Sequence, residues 1–277
     1  MTYRSMLVAL DATPANRARA DIAIALAKAF EAHLIGIAPI AAVDPPALQA
    51  AAALHDYVSR ASMEMLAQAQ DLAHRFHQRC EAAALPSFEA LADRTPAPAS
   101  LVAHAQCTDL VILSQPDAQL TDHAQRQSSL EETLLGCPRP VLLLPSARSE
   151  PVGLGRMLLA WDGSPQSVRA MTDALPLLRR AASVVLMHWR HPHDGTAPRE
   201  RMDCLRQWLA FQGVDAEVRD EVTSMRVGDA LLHAATGLQA DLIVMGAYGR
   251  ARWAERLFGG VSRTLLQSMT VPVLMSH

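Results

Sequence analysis

The chain has 277 residues, of which 50% are hydrophobic, 19% are charged and 4% are aromatic, and its formal net charge is −3. This length and composition fit one large or two ordinary globular domains, and the slightly acidic balance argues against a nucleic-acid-binding surface. The sequence contains no run of 18 or more apolar residues, so no membrane-spanning helix is predicted. The four cysteines are scattered and form no CxxC pair, which argues against a disulfide framework and a zinc site.

The first half of the chain alternates predicted strands with predicted helices. An apolar strand pattern over residues 4–10 ends at Asp11, and Thr13 and Pro14 then supply an N-cap and a first-turn proline for a helix. Further strands are predicted at residues 33–40, 87–92, 109–113 and 140–144, and further helices at residues 47–83, 97–106 and 128–135. Because the segment 47–83 is too long for one crossover helix, we expect a break near residues 59–62.

The second half repeats this pattern after a linker at residues 145–151, which is rich in proline and small polar residues. Its first strand, residues 156–161, ends at Asp162 as the opening strand ends at Asp11, and Ser164-Pro165 begins the next helix. Further strands are predicted at residues 183–189, 217–221, 241–245 and 272–276, and further helices at residues 199–211, 228–235 and 261–269. Residues 108–112 align on residues 240–244 without a gap, so we interpret the chain as a duplication with domains at 1–146 and 153–277.

A glycine-rich stretch joins the strand 241–245 to the last helix. It contains Gly246, Gly249, Gly259 and Gly260, and its first three glycines have the spacing G-x2-G-x9-G. Glycine lets backbone N–H groups approach a ligand closely, and the unpaired N–H groups of a helix start favour an anion. The stretch therefore predicts phosphate binding, with a flexible loop as the alternative. The chain has one lysine, Lys28, and no GK[ST] motif, which excludes a P-loop NTPase.

The spacing G-x2-G-x9-G resembles the ATP-binding signature of the universal stress protein family, in which Ser or Thr follows the last glycine. Gly260 stands at that position here, so the hydroxyl is missing unless Ser262 partly replaces it. The resemblance implies an α/β fold of two tandem doubly wound domains, similar to the adenine nucleotide alpha hydrolases. Each domain would have a five-stranded parallel sheet in the order 3-2-1-4-5, with ATP at the carboxyl ends of strands 1 and 4 and Mg²⁺ bridging its phosphates.

Asp162 occupies the position of the family's strand-1 aspartate, which contacts the ribose or adenine end of the nucleotide. An Asx-type cap on the loop before Ser164 is the alternative role for this aspartate. The family's loop after strand 2 lies over adenine, and here that neighbourhood is His188-Trp189. The resemblance thus implies a nucleotide site made of Asp162, Gly246, Gly249, Gly259, Gly260, Val261 and Ser262.

The first half lacks this loop chemistry. At the same alignment the three glycines of the signature become Ser114, Asp117 and Gln127, and only Ser128, opposite Gly260, keeps a hydroxyl. Asp117 would place a negative charge where the phosphates lie. We therefore expect one ATP per chain, in the second half.

Three functions fit these residues. The first is a cytoplasmic stress-response protein that binds ATP in its C-terminal domain and acts as a nucleotide-dependent regulatory or interaction protein. The alternatives are a slow ATPase or autokinase, and an interaction module that binds no nucleotide. No obvious catalytic base or metal-binding carboxylate pair stands in the loop, which favours binding over catalysis. The start of the sequence leads directly into a strand pattern rather than a signal-peptide core, which is the basis for the cytoplasmic prediction.

The resemblance also implies how the two halves associate. The family dimerises through the last strand of its sheet, and an uncovered strand edge invites pairing. We therefore expect residues 140–144 and 272–276 to pair as a pseudo-dimer within one chain. Any homodimer would use another surface, for which the segment 47–83 is the candidate. An adenine nucleotide is the expected small-molecule partner, and no nucleic acid or membrane partner is expected.

Overall fold

A computed structural model of the chain describes residues 2–40, 51–147, 150–193, 199–248 and 260–277, with the backbone alone for residues 51–59. The chain divides into two compact units. One unit consists of Tyr3–Pro138 with Ala147–Glu150, and the other contains Arg139–Ser146 with Pro151–His277.

The first unit has four parallel strands joined by crossover helices. Its strands are β1 (Ser5–Ala9), β2 (His33–Ile40), β3 (Phe88–Pro96) and β4 (Leu110–Ser114), and its helices are α1 (Ala15–Phe30), α2 (Ala51–Ala82), α3 (Ala97–Ala105) and α4 (His123–Gly136). The strands lie in the order β3-β2-β1-β4, and each neighbouring pair is parallel. The order 3-2-1-4 is the predicted one.

The second unit contains six strands. They are β5 (Val141–Leu144), β6 (Arg156–Ala160), β7 (Ser183–Arg190), β8 (Ala216–Val222), β9 (Leu242–Gly246) and β10 (Val273–Ser276), and the helices are α5 (Pro165–Leu178), α6 (Arg199–Phe211), α7 (Val227–Gly237) and α8 (Gly260–Ser268). Strands β6 to β10 are parallel in the order β8-β7-β6-β9-β10. This arrangement confirms the predicted α/β fold with the order 3-2-1-4-5.

Strand β5 comes from the first half of the sequence but belongs to the second unit. It pairs antiparallel with β10, so that Leu143 lies opposite Val273 and Leu142 opposite Leu274. All four residues of β5 and all four of β10 are buried. The predicted pairing of these two strands is therefore confirmed, whereas the domain limits 1–146 and 153–277 stay a prediction.

Two predicted helix limits differ from the structure. Helix α2 runs continuously over Ala51–Ala82, so the break predicted near residues 59–62 is wrong. The segment contains neither proline nor glycine, the residues that most often break or kink a helix, and length alone does not end one. Helix α4 begins at His123, five residues before the predicted start at Ser128.

An aspartate before the fourth strand of each half ties down the start of its first strand. Asp241 Oδ2 accepts the Arg156 backbone N–H at 2.9 Å, and Asp109 Oδ2 accepts the backbone N–H groups of Arg4 at 2.7 Å and Ser5 at 3.0 Å. These bonds fix the register at which strands 1 and 4 enter the sheet, and hence where they end. In the part of the chain that the structure describes, no helix has the length and apolar character needed to cross a bilayer.

Candidate functional site

Strands β6 and β9 lie side by side, and the chain leaves them in opposite directions across the sheet. Helix α5 leads from β6 to β7 on one side, and helix α8 leads from β9 to β10 on the other. Because such crossovers are right-handed, α5 and α8 lie on opposite faces of the sheet. A switch of this kind leaves a crevice beyond the carboxyl ends of the two strands, where open α/β sheets bind ligands.

Asp162 lies at this crevice, two residues after the end of β6, and it is exposed. Its Oδ1 accepts the Ser164 backbone N–H at 3.0 Å, and Gly163 between them has a φ of +79°. The Asx-type turn that the sequence left open is therefore present. One such bond uses only part of the acceptor capacity of a carboxylate, so the turn orients Asp162 without preventing it from accepting further hydrogen bonds.

Helix α5 begins directly after this turn. Ser164 is its N-cap, since its Oγ accepts the Ser167 backbone N–H at 3.2 Å, and Pro165 occupies the first turn. Serine at the cap and proline just inside it are the residues that start a helix best. The sequence Asp162 to Ser167 thus fixes the first turn of α5 beside the crevice.

Gly246 ends β9 in contact with that first turn. A Cβ atom at Gly246 would lie 2.5 Å from the backbone nitrogen of Ser167 and 2.6 Å from the carbonyl carbon of Gln166. Real Cβ atoms do not approach backbone so closely, so only glycine lets β9 end against α5. The structure therefore brings Gly246 and the turn containing Asp162 together, through the backbone of α5.

The two residues after Gly246 are held by the sheet and by α8. The Ala247 N–H donates to the backbone oxygen of Ser276 at 2.8 Å, and the Tyr248 N–H donates to Ser262 Oγ at 3.3 Å. Tyr248 has a left-handed φ of 56°, and Ser262 is 3% exposed. The Ser262 hydroxyl, whose partial replacement of the missing one the sequence left open, thus already accepts a hydrogen bond from the loop backbone.

Helix α8 starts at Gly260, next to the half-buried Val261. Among the described residues, none has an atom within 4 Å of a Cβ built at Gly260, so none of them would clash with a serine there. Gly249 and Gly259 lie outside the described residues.

In the first half, the aspartate equivalent to Asp162 is Asp11, and it is paired with an arginine. Asp11 Oδ2 lies 2.8 Å from Arg19 Nη2, and Arg19 Nε donates to the Ala9 backbone oxygen at 2.7 Å. Arg19 is 3% exposed, whereas the residue aligned with it in the second half is the buried Ala170. Burial alone would raise the pKa of Asp11, but Arg19 and the hydrogen bonds from Thr13 hold that pKa below its ordinary value.

A second polar cluster lies at the carboxyl ends of β7 and β8. Asp220 Oδ1 is 2.9 Å from His188 Nδ1, and Asp220 Oδ2 accepts Arg190 Nε at 2.9 Å. The His188 ring lies 5.5 Å from the ring of Trp161, which directly precedes Asp162. Burial opposes ionisation of Asp220, but the hydrogen bonds from His188 and Arg190 outweigh it and lower the pKa of this carboxyl.

Trp189, on the next position of β7, points to the other side of the sheet from His188 because side chains alternate along a strand. There it lines a cavity of about 310 Å³ together with Met187, Arg219, Met225 and His233. The cavity lies beside β7, β8 and α7. Of the His188-Trp189 pair, Trp189 therefore contributes to a cavity and His188 to a hydrogen-bond network.

Sequence reasoning missed three contributors to these sites. Gln166 supports the end of β9 through its backbone, which no side-chain pattern reveals. Arg19 and Asp220 look like ordinary exposed charges on a helix and on an edge strand. The alignment of Arg19 with Ala170 was a usable signal, because alanine is more often buried than arginine and so favours an inward-facing position in both copies. Among the described residues, no group of three or more His, Cys, Asp or Glu is arranged to hold a metal ion.

Comparisons with known proteins agree with this architecture. Residues 153–277 match the family model described as the universal stress protein family. A universal stress protein from Archaeoglobus fulgidus DSM 4304 is similar over 98% of this chain and 95% of that chain, with 16% identity and a TM-score of 0.72. A functionally unknown protein from Pseudomonas aeruginosa PAO1 is similar over 99% of this chain and 92% of that chain, with 15% identity and a TM-score of 0.57.

A third solved structure, a universal stress protein in complex with cAMP, is similar over 44% of this chain and 97% of that chain, with 24% identity and a TM-score of 0.34. No curated protein sequence matches the chain. The two matches over nearly the whole chain show that both halves share the fold of these proteins.

Proposed function

Because residues 153–277 match the universal stress protein family model, we propose that this half binds one ATP and that the chain is a nucleotide-dependent regulatory or interaction protein of the stress response. The cytoplasm is the proposed location. The observation that carries the proposal is the close approach of Gly246 to the first turn of α5 beside Asp162. The carboxylate of Asp162 and the end of β9 at Gly246, which has no side chain, therefore lie at the same switch point of the sheet.

The residues present fit an adenine nucleotide. Asp162 is exposed and can accept hydrogen bonds from ribose hydroxyls, while the backbone N–H groups at the start of α8, from Gly260 to Ser262, favour an anion. Among the described residues, none has an atom within 4 Å of a Cβ built at Gly260, which is compatible with a phosphate at this helix start. When bound, ATP with Mg²⁺ would supply a charged group whose presence or absence changes the shape or charge of this edge of the sheet.

The test is titration calorimetry of the full chain with MgATP. We expect one site per chain, which Asp162→Ala weakens by about 1–3 kcal/mol, the range for removing a hydrogen bond to a charged group. Gly246→Val should abolish binding, because its side chain would force β9 away from α5. Gly260→Ser should tighten binding by restoring the missing hydroxyl.

A matched control is Gly237→Val at the end of α7, where an added Cβ meets no atom within 4 Å. It should bind ATP as the wild type does. Two equivalent sites, or one site that survives Gly246→Val in a folded protein, would contradict the proposal. ATP that is converted to ADP on standing would indicate a slow ATPase, and no binding at millimolar MgATP would indicate an interaction module without nucleotide.

A further inference from the structure

The last two residues of the second half link helix α5 to the turn after β9. Ser276 Oγ donates to Asp173 Oδ2 at 2.8 Å, and the backbone oxygen of His277 accepts Arg169 Nη1 at 2.9 Å. On the other side, the backbone oxygen of Ser276 accepts the Ala247 N–H at 2.8 Å. We call Ser276 and His277, with these contacts, the β10 clamp.

The imidazole of His277 completes the clamp. Its Nδ1 lies 3.2 Å from the Ala247 backbone oxygen, and because a carbonyl can only accept, Nδ1 carries the proton and donates it. The ring also lies edge-on to Tyr248, with centroids 6.3 Å apart. His277 thus contacts both residues that follow Gly246.

The turn needs such support. A left-handed φ is strained for a residue with a side chain, and Tyr248 is 9% exposed with a φ of 56°. Neighbouring contacts must hold that conformation in place. Two contacts that contribute to this are the bond from the Tyr248 N–H to Ser262 Oγ and the packing against His277.

The clamp is absent from the first half. The alignment that pairs Asp11 with Asp162 places Ala18 and Ile22 opposite Arg169 and Asp173. The alignment that pairs residue 112 with residue 244 places Leu144 and Pro145 opposite Ser276 and His277. Burying polar groups costs free energy unless they are hydrogen-bonded, and apolar residues fill the same place in the first half. The polar version occurs in the half that carries the glycine stretch.

We propose that His277 is a positioning residue for the nucleotide site. It holds Ala247 and Tyr248 in the conformation in which the end of β9 meets the ligand, so that less conformational entropy is lost on binding. This inference rests on the proposed function for its ligand, but the clamp itself can be measured without nucleotide.

The experiment compares His277→Leu, which removes the donor, with His277→Asn, whose amide nitrogen can replace Nδ1. The control is His104→Leu in the first half, where His104 Nδ1 lies 2.9 Å from the Ser100 backbone oxygen. Two quantities are measured on the full chain: the MgATP dissociation constant, and the hydrogen exchange rate of the Ala247 amide without nucleotide.

We expect His277→Leu to weaken MgATP binding about tenfold, the factor that one net hydrogen bond corresponds to, and to speed exchange at Ala247. His277→Asn should restore both values to within about threefold of the wild type, and His104→Leu should change neither. Wild-type affinity in a folded His277→Leu protein, or unchanged exchange at Ala247, would overturn the proposal. If the wild type binds no MgATP, the nucleotide role of His277 fails with the proposed function, while faster exchange in His277→Leu alone would still establish the clamp.

Discussion

At the end of β1 the first half buries an arginine where the second half has an alanine. The guanidinium of Arg19 lies against Asp11 and the Ala9 carbonyl, whereas the aligned residue near Asp162 in the second half is the uncharged, buried Ala170. Both aspartates accept the same backbone hydrogen bond two residues on, so their turns are alike and their electrostatic surroundings differ. A carboxylate that is paired with a buried cation is a poor acceptor for a sugar hydroxyl.

Replacing Asp11 should therefore affect stability and leave nucleotide binding alone. We expect Asp11→Ala to lower the free energy of unfolding by about 3 kcal/mol, because it leaves Arg19 buried without its carboxylate. The double variant Asp11→Ala with Arg19→Ala should recover part of this loss. Urea denaturation measures the stability and calorimetry the MgATP affinity. A fall in affinity for Asp11→Ala would place a nucleotide in the first half.

The hydrogen bonds of Asp220 predict that the free energy of unfolding depends on pH in the acid range. The pKa of the Asp220 carboxyl is lower in the folded protein than in the unfolded chain, because the hydrogen bonds from His188 and Arg190 outweigh its burial. The stabilising contribution is therefore fully present above the unfolded pKa of about 3.9 and is lost as pH falls through the folded pKa. In Asp220→Asn, the free energy of unfolding should fall less steeply with decreasing pH below pH 4 than in the wild type. Urea titration at several pH values measures this. An equal acid dependence in wild type and variant would refute this.

At the residue scale, the places of Asp162 and Gly246 at the ends of strands could be predicted, because strand ends and glycine spacing are visible in the sequence. Their role in binding stays a prediction. The reason for Gly246 could not be predicted, since the backbone of Gln166 and Ser167 that it touches is 79 to 80 residues away. The engagement of the Ser262 hydroxyl by Tyr248 was equally hidden, because it depends on a left-handed residue that is not a glycine.

At the scale of elements, the strands were predictable because parallel strands are continuous apolar runs. All residues of β10 and all but the last of β9 are buried. Both strands are therefore continuous apolar runs in the sequence, without the alternation of polar and apolar residues found in half-exposed strands. Helix limits were harder. Helix α4 begins at His123 within a polar stretch whose Gln and Arg residues suit a helix as well as a loop, so composition could not locate its start.

The aspartates before β4 and β9 give a prediction about elements. Asp241→Ala should lower the free energy of unfolding by about 1.5–3 kcal/mol, since its carboxylate accepts the Arg156 N–H at the start of β6. Asp109→Ala should cost a similar amount in the first half, where the acceptor role is the same. Guanidinium denaturation of both variants tests this. A loss below about 0.5 kcal/mol in either would mean that water replaces the carboxylate there.

At the scale of the whole molecule, the duplication was visible in the sequence because two stretches align without a gap. The assignment of β5 to the second unit was not, since contacts rather than sequence position decide it. The β5–β10 pair could be predicted because the family that the chain resembles dimerises through its last strand, and an uncovered strand edge invites pairing. The choice of a homodimer surface on residues 47–83 stays a prediction, which light scattering of the full chain tests.

Removing the first half should change the state of association. A protein of residues 153–277 would lack β5 and leave β10 as an uncovered apolar edge. Such edges pair with other chains, so we expect this fragment to form dimers through antiparallel β10 strands. Light scattering at tens of micromolar measures the mass. A monomeric, folded fragment would contradict the expectation, and Leu274→Lys should weaken the dimer if the edge is responsible.

The antiparallel partnership of β5 and β10 also sets an order of events on the ribosome. Leu143 and Val273 face each other but are 130 residues apart in the chain. At a synthesis rate of roughly 5–20 residues per second, β5 is made about 6 to 26 s before its neighbour exists. During that interval the edge of Val141–Leu144 that later receives β10 is open to any other strand in the cell. Translation speed through the second half therefore sets how long this edge stays uncovered during synthesis, and early termination exposes an edge that β10 covers in the full chain.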